Sequence, residues 1–531
     1  MLAHQAKNAA FDSNRGGGYC RAVQAWSRRG FLRSLAATGA LALTPRWLRA
    51  SEDVVRISVL HTTDLHGNIL PTSNYDGVPD LGGFARCATQ IRSWRRENPN
   101  HLLVDVGDVY QGTETGFRTR GDIMRRCFEE VGYDGWVIGN HEFDWGPEPL
   151  AEFLGRSAIP ALSANASTPA GSDPAFSKVQ PWVLKEFEGV KIGVIGLTTP
   201  GLPYWFRPEF LAGFDAGDPA KAARRAADGL LAAGADIIVI AGHMGRRPQG
   251  DDFANQVGAV VKAVPEAAVY LAGHTHREVP ADRVDGVLYT QANYYGIHCG
   301  RVDLFVDRAS RKLIRAESGL AMMDSSVPAD PAILSLAARD LEETDRILGS
   351  PAGRIAERLE AEGRPSAVEL LIGTAIQAAL AEKDRPVPIV LHGRFSDAPI
   401  EPGPKTVADM WKIIPYENYV LRAHLTPGEM LAVQSAIRQA GRRLSLSFLG
   451  VRFESDDVRF PNGEPLDPAK RYPVAMNTYD ASSAGNRLPR LRDLTLAAEA
   501  KSEIVRVQTR EALINFCSSR SQGVRLSDLT V

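Results

Sequence analysis

Short apolar runs, each followed by small or polar residues, recur along the first 310 residues of the chain. Examples are VVRISVL at 54–60, HLLVDVGD at 101–108, GWVIGN at 135–140, KIGVIGLT at 191–198 and ADIIVIAGH at 235–243. Runs of this length without strict alternation are typical of strands that are buried on both faces of a sheet. A helical pattern at 218–235 fills one of the gaps between the runs. This part of the chain is therefore predicted to form a layered α/β fold.

A polar helix pattern with an apolar stripe follows, and we predict a linker helix over 329–349. It separates a catalytic region, 51–328, from a second region, 350–531, which has its own helix and strand patterns. A chain of 531 residues exceeds the size of one ordinary core, so two domains are expected. The second region has no dense cluster of metal-binding residue types.

The composition excludes two classes of protein. Hydrophobic residues make up 44% of the chain and charged residues 23%, and after the N-terminal region no apolar run is long enough to span a bilayer stably. The 61 basic and 63 acidic residues give a formal charge of −2, and no basic block offers a footprint for a nucleic acid polymer. Binding of a nucleic acid polymer through bulk electrostatics is therefore disfavoured.

The first fifty residues resemble an export signal of the twin-arginine type. Arg28 and Arg29 precede Phe31, a short apolar stretch follows, and small residues such as Ala50 could mark a cleavage site. Residues 1–50 are thus predicted to hold this signal and a disordered N-terminus, with export by the twin-arginine machinery to the periplasm or the cell exterior. The alternative is a chance arginine pair before a core helix.

Five apolar runs end in residue types that bind metal ions. These are DLH (Asp64, His66), GD (Asp108), GNH (Asn140, His141), GH (His243) and GHTH (His274, His276). Functional groups gather beyond the carboxyl ends of strands in α/β sheets, so these side chains are expected to converge in one cleft. A mixture of carboxylate, imidazole and amide ligands suits two divalent ions such as zinc, manganese or iron, about 3.5–4 Å apart. Each motif alone would more often be structural, and only the set favours a metal site.

The motifs HTTDLHGNI, VDVGDVYQGT, VIGNHEFDWG, IAGHMG and LAGHTHREVP resemble those of the calcineurin-like metallophosphoesterase superfamily, in particular its 5′-nucleotidase and UDP-sugar hydrolase family. The resemblance implies a four-layer αββα sandwich, a linker helix and an α+β C-terminal domain of the 5′-nucleotidase type. It also implies two metal sites that share Asp108. The implied ligands are Asp64, His66, Asp108 and His276 for one ion, and Asp108, Asn140, His243 and His274 for the other.

The same resemblance assigns catalysis to His141 and Asp144. The histidine would stabilise charge on the transferred phosphate, and the aspartate would orient it; the alternative is that His141 is a further ligand or a packed neighbour. A carboxylate three residues away can hold one ring nitrogen while the other faces the phosphate. One departure is visible, since His276 stands where many bacterial nucleotidases have glutamine, and this change is expected to tune metal preference.

The second region matches the family's substrate-binding motifs poorly. In HGRFSDAPIEPG at 392–403, Asp397 takes the place expected for an arginine, and Arg394 is shifted. In NTYDASSAGNR at 477–487, Tyr479 can serve as the aromatic residue while the expected aspartate is missing. Arg394, Phe448 and Tyr479 are the candidate substrate-binding residues, and the two rings could sandwich a base or pack in the core.

The expected activity is that of an exported two-metal phosphohydrolase that cleaves nucleotides or similar organic phosphates with a metal-bound hydroxide as nucleophile. Within the same class, the alternatives are a 2′,3′-cyclic-nucleotide phosphodiesterase and a UDP-sugar pyrophosphohydrolase. From another class, a surface binding protein could keep the same scaffold. A sulfur-compound hydrolase of the superfamily is disfavoured, because that branch alters the GNHE stretch, which is unaltered here.

Overall fold

The computed structural model describes residues 53–168, 171–441, 444–455 and 457–529. The predicted export signal at 1–50 lies outside these ranges. No helix within them has both the length and the apolar character that a bilayer crossing requires.

Two six-stranded sheets form the centre of the N-terminal part. Strands Val54–Thr62, His101–Asp105, Gly135–Val137 and Ala161–Leu162 run parallel, so their carboxyl ends share one edge. The spatial order of the first sheet is Leu313–Met322, His298–Asp307, Val54–Thr62, His101–Asp105, Gly135–Val137 and Ala161–Leu162. The order of the second is Glu278–Val284, Val287–Ala292, Val269–Ala272, Ile237–Gly242, Val190–Leu197 and Trp182–Phe187.

The two sheets pack face to face, and helices cover the outer faces. Buried side chains such as Ile57 and Val104 of the first sheet meet Val194, Val239 and Leu271 of the second in one apolar layer. Helices Phe84–Glu97, Asp122–Val131 and Pro147–Arg156 bury their apolar sides on the first sheet, and Pro219–Ala232 and Val257–Ala263 on the second. Because each sheet buries both faces, its strands need near-continuous apolar sequence. The predicted αββα sandwich is confirmed.

The C-terminal part has a five-stranded mixed sheet with separate apolar clusters on it. Its strand order is Leu446–Leu449, Ile389–Gly393, Tyr472–Asn477, Tyr419–Leu425 and Glu503–Gln508. Its helices are Ala367–Glu382, Val407–Ile413, Pro427–Ala440, Thr478–Ala481, Pro489–Leu496 and Thr509–Ser518. The first of these begins with a capping box, in which Ser366 and Glu369 bond each other's backbone N–H groups.

Helix Pro331–Leu348 connects the two parts. Ile333 and Ala337 are fully buried in the cluster that also holds the helices of the first sheet. Arg126 of helix Asp122–Val131 pairs with Asp340, and Arg92 donates to Asp330 over 2.8 Å. The apolar stripe of this helix therefore faces the N-terminal part, while the rest of its surface is polar.

Two strands end earlier than their apolar pattern suggests. The predicted run 101–108 is a strand only to Asp105, and 135–140 only to Val137. Gly107 and Asp108 then turn with φ of 98° and 57°, which no strand allows. The polar residues after these strands lie in turns. The turns direct their side chains sideways into the cleft.

Leu271→Ala is expected to destabilise the protein by about 2–5 kcal/mol, because it opens a cavity between the sheets where Leu271 is fully buried. The midpoint of urea unfolding measures this. Leu231→Ala is the matched control, since Leu231 lies 47% exposed on a helix. Equal midpoints for the two variants would contradict the sheet-to-sheet packing.

Candidate metal and phosphate site

The predicted ligand residues converge at the carboxyl ends of the parallel strands. Asp64 and His66 follow strand Val54–Thr62, and Asp108 follows His101–Asp105. His243 follows Ile237–Gly242, and His274 follows Val269–Ala272. These strands belong to both sheets, so the site forms where the two sheets share one open edge.

Asp108 lies at the centre of the group. One of its carboxylate oxygens is 3.0 Å from Nε2 of His243 and 3.8 Å from Nε2 of His66. The other accepts the backbone N–H of His141 at 2.9 Å. Burial alone would raise the pKa of Asp108, but His243, His141 and His66 hold that pKa well below its usual value. The carboxylate is therefore ionised and available to cations.

Asp64, His66 and His276 form the other side of the group. Nε2 of His276 lies 3.3 Å from a carboxylate oxygen of Asp64 and 3.1 Å from Nε2 of His66. Asn140 is also in place, since its side-chain oxygen is 3.2 Å from Nε2 of His243. The structure thus brings together all seven residues that the sequence proposed as ligands.

The donor set fits divalent metal ions. Ligand atoms lie within 4.8 Å of one another in two groups, which share Asp108. The members are Asp64, His66, Asp108 and His276 in one group, and Asp108, His243 and His274 in the other.

Two of the imidazoles are oriented as metal binding needs. Nδ1 of His66 donates to the carbonyl of Gln111 and Nδ1 of His243 to that of Val106, at 2.8 and 2.7 Å. Nε2 of each ring therefore faces the cluster, where it can bind a metal ion once it carries no proton.

The backbone at the ligands is unusual. Asp64, His66, Asp108, His274 and His276 all have positive φ, between 49° and 69°. Non-glycine residues avoid this left-handed region, and strained backbone of this kind concentrates at functional sites. The conformation turns consecutive polar side chains toward the same point, which an extended strand cannot do.

Glu142 holds this arrangement, although sequence reasoning gave it no role. Its buried carboxylate accepts the backbone N–H groups of Asp108, Val109 and Gly139 at 3.1, 2.8 and 2.7 Å. Gly139 has no room for a side chain, because a Cβ there would lie 2.2 Å from a carboxylate oxygen of Asp108. The position of Glu142 within GNHEFD was the available signal, but only the fold shows that it binds two loops together.

His141 and Asp144 form an ion pair next to this group. Nδ1 of His141 donates to the Asp144 carboxylate at 2.9 Å. Burial alone would lower the pKa of His141, but Asp144 and Asp108 outweigh it and raise that pKa to about 10. The imidazole is therefore a cation at neutral pH, and Nε2–H is available as a second donor.

Tyr75 was missed by sequence reasoning and contacts a ligand residue directly. Its hydroxyl is 2.5 Å from Nδ1 of His276, and its ring stacks on Tyr294 at 4.1 Å. When Nδ1–H donates to this hydroxyl, Nε2 of His276 remains free for a metal. A glutamine at position 276 would need no such partner, and a lone tyrosine in a loop carries no sequence signal for this role.

Two aromatic rings cover the group from other segments of the chain. Trp205 lies 5.2 Å from the His274 ring, and Tyr416 of the C-terminal part stacks near His141 with 6.2 Å between centroids. The two parts of the chain also share hydrogen bonds, such as Ser483 Oγ to the carbonyl of Tyr204 at 2.8 Å. The C-terminal part therefore lies directly over the candidate catalytic histidine.

A cavity of about 170 Å³ opens in the C-terminal part, and two of the three predicted substrate-binding residues line it. Tyr479 lies on one wall, and its hydroxyl accepts a hydrogen bond from Arg487 at 2.7 Å. Arg394 donates to the carboxylate of Glu369 at 3.0 Å and forms an ion pair with Asp397 at 3.1 Å. Two carboxylates therefore balance its positive charge. Phe395 also lines the cavity and lies 6.4 Å from Tyr416.

Phe448 lies elsewhere. It is 5% exposed, belongs to the apolar cluster of the C-terminal sheet and packs edge-on against Phe453 at 5.3 Å. Within the described residues it is not part of the cavity wall. Its neighbour Ser447 points the other way, toward Glu369, as strand alternation requires. Of the two interpretations open from the sequence, the geometry of Phe448 supports core packing.

Comparison with known proteins agrees with the motifs. Residues 57–278 match the model of the family described as calcineurin-like phosphoesterase. The chain contains a calcineurin-like phosphoesterase domain. The prediction of this superfamily, and of a phosphoric ester hydrolase within it, is confirmed. The matched segment ends two residues after His276, so it includes every predicted ligand.

The similarity to known proteins extends beyond the phosphoesterase domain. The chain is 26% identical to Protein UshA of Escherichia coli strain K12 over 512 residues, which cover 87% of this chain and 92% of that protein. It is 30% identical to a 5′-nucleotidase of Diplobatis ommata over 300 residues, 53% of this chain and 51% of that protein. The crystal structure of a 5′-nucleotidase precursor from Thermus thermophilus aligns with TM-score 0.65 and 24% identity, over 88% of this chain and 96% of that one. The overall fold thus matches that of a 5′-nucleotidase structure along both the N-terminal and the C-terminal part.

Tyr75→Phe is expected to weaken binding of divalent manganese about 10- to 100-fold, because it removes the hydrogen bond that orients His276. Calorimetric titration of metal-free protein measures the affinity directly.

Tyr419→Phe is the matched control for this change, since Tyr419 lies on the C-terminal sheet. Its affinity for manganese should equal that of the unaltered protein. If Tyr75→Phe also left the affinity unaltered, the hydroxyl would have no part in orienting His276.

Proposed function

We propose that the protein is a phosphohydrolase that holds two divalent ions and cleaves phosphate esters of nucleotides or similar organic phosphates. The observation that carries this proposal is the pair of ligand groups joined through Asp108. Asp64, His66, Asp108 and His276 would hold one ion, and Asp108, Asn140, His243 and His274 the other. Zinc, manganese and iron suit such ligands, and ions of this kind activate water and neutralise phosphate charge when bound.

His141 supplies the donor that the transferred phosphate requires. Its cationic ring presents Nε2–H on the side away from Asp144, and it is 25% exposed to the cleft. Charge increases on the phosphate oxygens as the ester bond breaks, so a fixed donor stabilises the transition state more than the ground state. Asp144 keeps the ring protonated and oriented.

The C-terminal part is proposed to bind the leaving group. Its cavity is lined by Tyr479 and Phe395, two rings that can stack on a base. Tyr416 connects this cavity to the catalytic side, because it lies near both Phe395 and His141. The names of the relatives support a nucleoside as the bound group, since they include 5′-nucleotidases. The linker helix would separate the two functions.

Related substrates define the remaining alternatives. One relative, from Haemophilus influenzae, is a 2′,3′-cyclic-nucleotide 2′-phosphodiesterase/3′-nucleotidase with 26% identity over 379 residues. A UDP-sugar pyrophosphohydrolase would use the same metal ligands, and a surface binding protein would need none of them. Phosphate release from a panel of these substrates, with manganese added, separates the enzymes from one another and from the binding protein.

We also propose that the protein acts outside the cytoplasm, in the periplasm or beyond, after export through the twin-arginine machinery. The arginine pair at 28–29 and the apolar stretch after it support this. Replacement of both arginines with lysine in a producing cell, followed by fractionation, tests the route.

His141→Ala is expected to lower kcat for a nucleoside monophosphate about 100- to 1000-fold, because the transition state loses a charged donor. Phosphate release at saturating substrate measures this. The metal content should stay that of the unaltered protein, since His141 is not among the proposed ligands. His424→Ala, on the C-terminal sheet, is the matched control, and unchanged turnover in His141→Ala would refute the assignment.

Tyr479→Ala is expected to raise KM for a nucleoside monophosphate about tenfold, because one base stack is lost. KM for glycerol phosphate, which has no base, should change little. Phe448→Leu tests the other ring: we expect a lower unfolding midpoint and an unaltered ratio of the two KM values. Equal changes for both substrates in Tyr479→Ala would remove this residue from the proposed base site.

A further inference from the structure

A cavity of about 450 Å³ lies between the N-terminal and the C-terminal part, and the proposed function gives it no role. It is larger than the C-terminal cavity of about 170 Å³ and shares no lining residue with it. Cavities of several hundred Å³ at domain boundaries are common binding places for small molecules. The residues that define this junction cavity come from both parts of the chain: Trp145, Glu148, Phe210, Tyr419, Ile504 and Arg506.

Three aromatic rings form much of the wall of the junction cavity. Trp145 is held by Tyr110 and Phe117, whose rings lie 5.3 and 5.6 Å from its own. Phe210 meets Tyr419 across the two parts of the chain, with 5.7 Å between ring centroids. Trp145 and Tyr419 are only half-buried, so each ring keeps surface open to the cavity. Rings that are already fixed offer a flat ligand contact area at a small cost in conformational entropy.

Backbone geometry places one charged side chain on each side of this wall. Gly146 has a φ of 88°, and a Cβ there would lie 3.1 Å from a carboxylate oxygen of Glu148. The Glu148 carboxylate therefore lies over the glycine at the start of helix Pro147–Arg156. On the opposite side, Ile504 and Arg506 project from the same face of strand Glu503–Gln508, as strand alternation requires.

The charges of the wall are only partly balanced within the protein. Two of the lining residues have ion-pair partners, namely Arg120 with Glu152 at 3.1 Å and Glu209 with Arg207 at 3.2 Å. Glu148 and Arg506 differ, since neither side chain forms an ion pair or a hydrogen bond with any other residue that the structure describes. One carboxylate and one guanidinium therefore remain available to a ligand.

These two charges lie near the same hydroxyl group. Burial raises the pKa of Tyr419, while the charge of Arg506 lowers that pKa and the charge of Glu148 raises it. Among the described residues, the Tyr419 hydroxyl has no hydrogen-bond partner of its own. The junction cavity thus combines an aromatic wall with polar groups of both signs at one end of it.

We propose that the junction cavity binds a small aromatic zwitterion, a flat ring that carries both an ammonium and a carboxylate group, as an aromatic amino acid does. The ring would pack against Trp145 and Tyr419, the ammonium would pair with Glu148, and the carboxylate with Arg506. A ligand with negative charge alone would pair with Arg506 but meet repulsion from Glu148, so a phosphate or nucleotide fits less well. The site is separate from the candidate metal and phosphate site, and the proposal does not rest on the proposed function.

Calorimetric titration of the manganese-loaded full chain with tryptophan tests the proposal. Binding should saturate with a Kd of about 1 mM or tighter, as expected for a ligand of about 15 non-hydrogen atoms in a preformed cavity. Glycine is the ligand control, because it offers manganese the same amino and carboxylate groups but has no ring. An equal affinity for the two amino acids, or no saturation by tryptophan below about 10 mM, would overturn the proposal.

Two variants separate the contributions of the two charges. Arg506→Gln is expected to weaken the binding of tryptophan about 3- to 10-fold, because its carboxylate loses a charge-assisted contact. Indolepropionate, which lacks the ammonium group, should weaken by a similar factor, while tryptamine, which lacks the carboxylate, should not weaken. Glu148→Gln should produce the opposite pattern, with weaker binding of tryptophan and tryptamine and no loss for indolepropionate.

Arg225→Gln and Glu382→Gln are the matched controls, since both residues are exposed on helices remote from the cavity wall. Glu148 and Arg506 are exposed as well, so all four variants should keep the unfolding midpoint of the unaltered protein. Tryptophan affinity in Arg506→Gln and Glu148→Gln equal to that of the controls would overturn the proposal. Weaker tryptophan binding in Tyr479→Ala would overturn it too, because the ligand would then occupy the C-terminal cavity.

Discussion

The candidate site depends on backbone that is held in the left-handed region at five ligand residues. Each such residue costs about 1–3 kcal/mol unless its surroundings fix it. Here the strand pairing continues past the strands, since the N–H groups of Asp64 and His66 donate to the carbonyls of Gly107 and Asp108 at 2.9 Å. Glu142 then binds the second loop to the third. The side chains converge because these hydrogen bonds hold the loops together at the open edge of the two sheets.

The fold and the ligand set could be predicted from the sequence because both depend on local order. Apolar runs identify strands that are buried on both faces, and the residue after each run must lie at the sheet edge. The roles of His141 and Asp144 come from the family resemblance, and their spacing of three positions agrees with the ion pair between them. The predicted ends of the strands are less accurate. Val106, for example, is as apolar as a strand residue but lies directly before a turn.

Tyr75, Trp205 and Tyr416 could not be predicted in the same way. Each comes from a loop that is distant in sequence from the residue it contacts, and a single aromatic residue in a loop has no periodicity. The same lack of a periodic signal applies to the predicted substrate-binding residues. Phe448 and Tyr479 are equally aromatic, but strand alternation directs the first ring into the core, while Tyr479 lies in the short helix Thr478–Ala481 at the cavity. Only the tertiary structure shows whether an aromatic ring lines the cavity or packs in the apolar core.

The stacking of Tyr416 near His141 joins the chemistry to the relative position of the two parts of the chain. The ring beside the imidazole belongs to the C-terminal part, which we propose binds the leaving group, so the solvent around His141 would depend on how the two parts are placed. A displacement of that ring would let water hydrate the imidazolium and weaken its hold on the anion. The contact between the two parts thus shapes the surroundings of the candidate catalytic histidine as well as the fold.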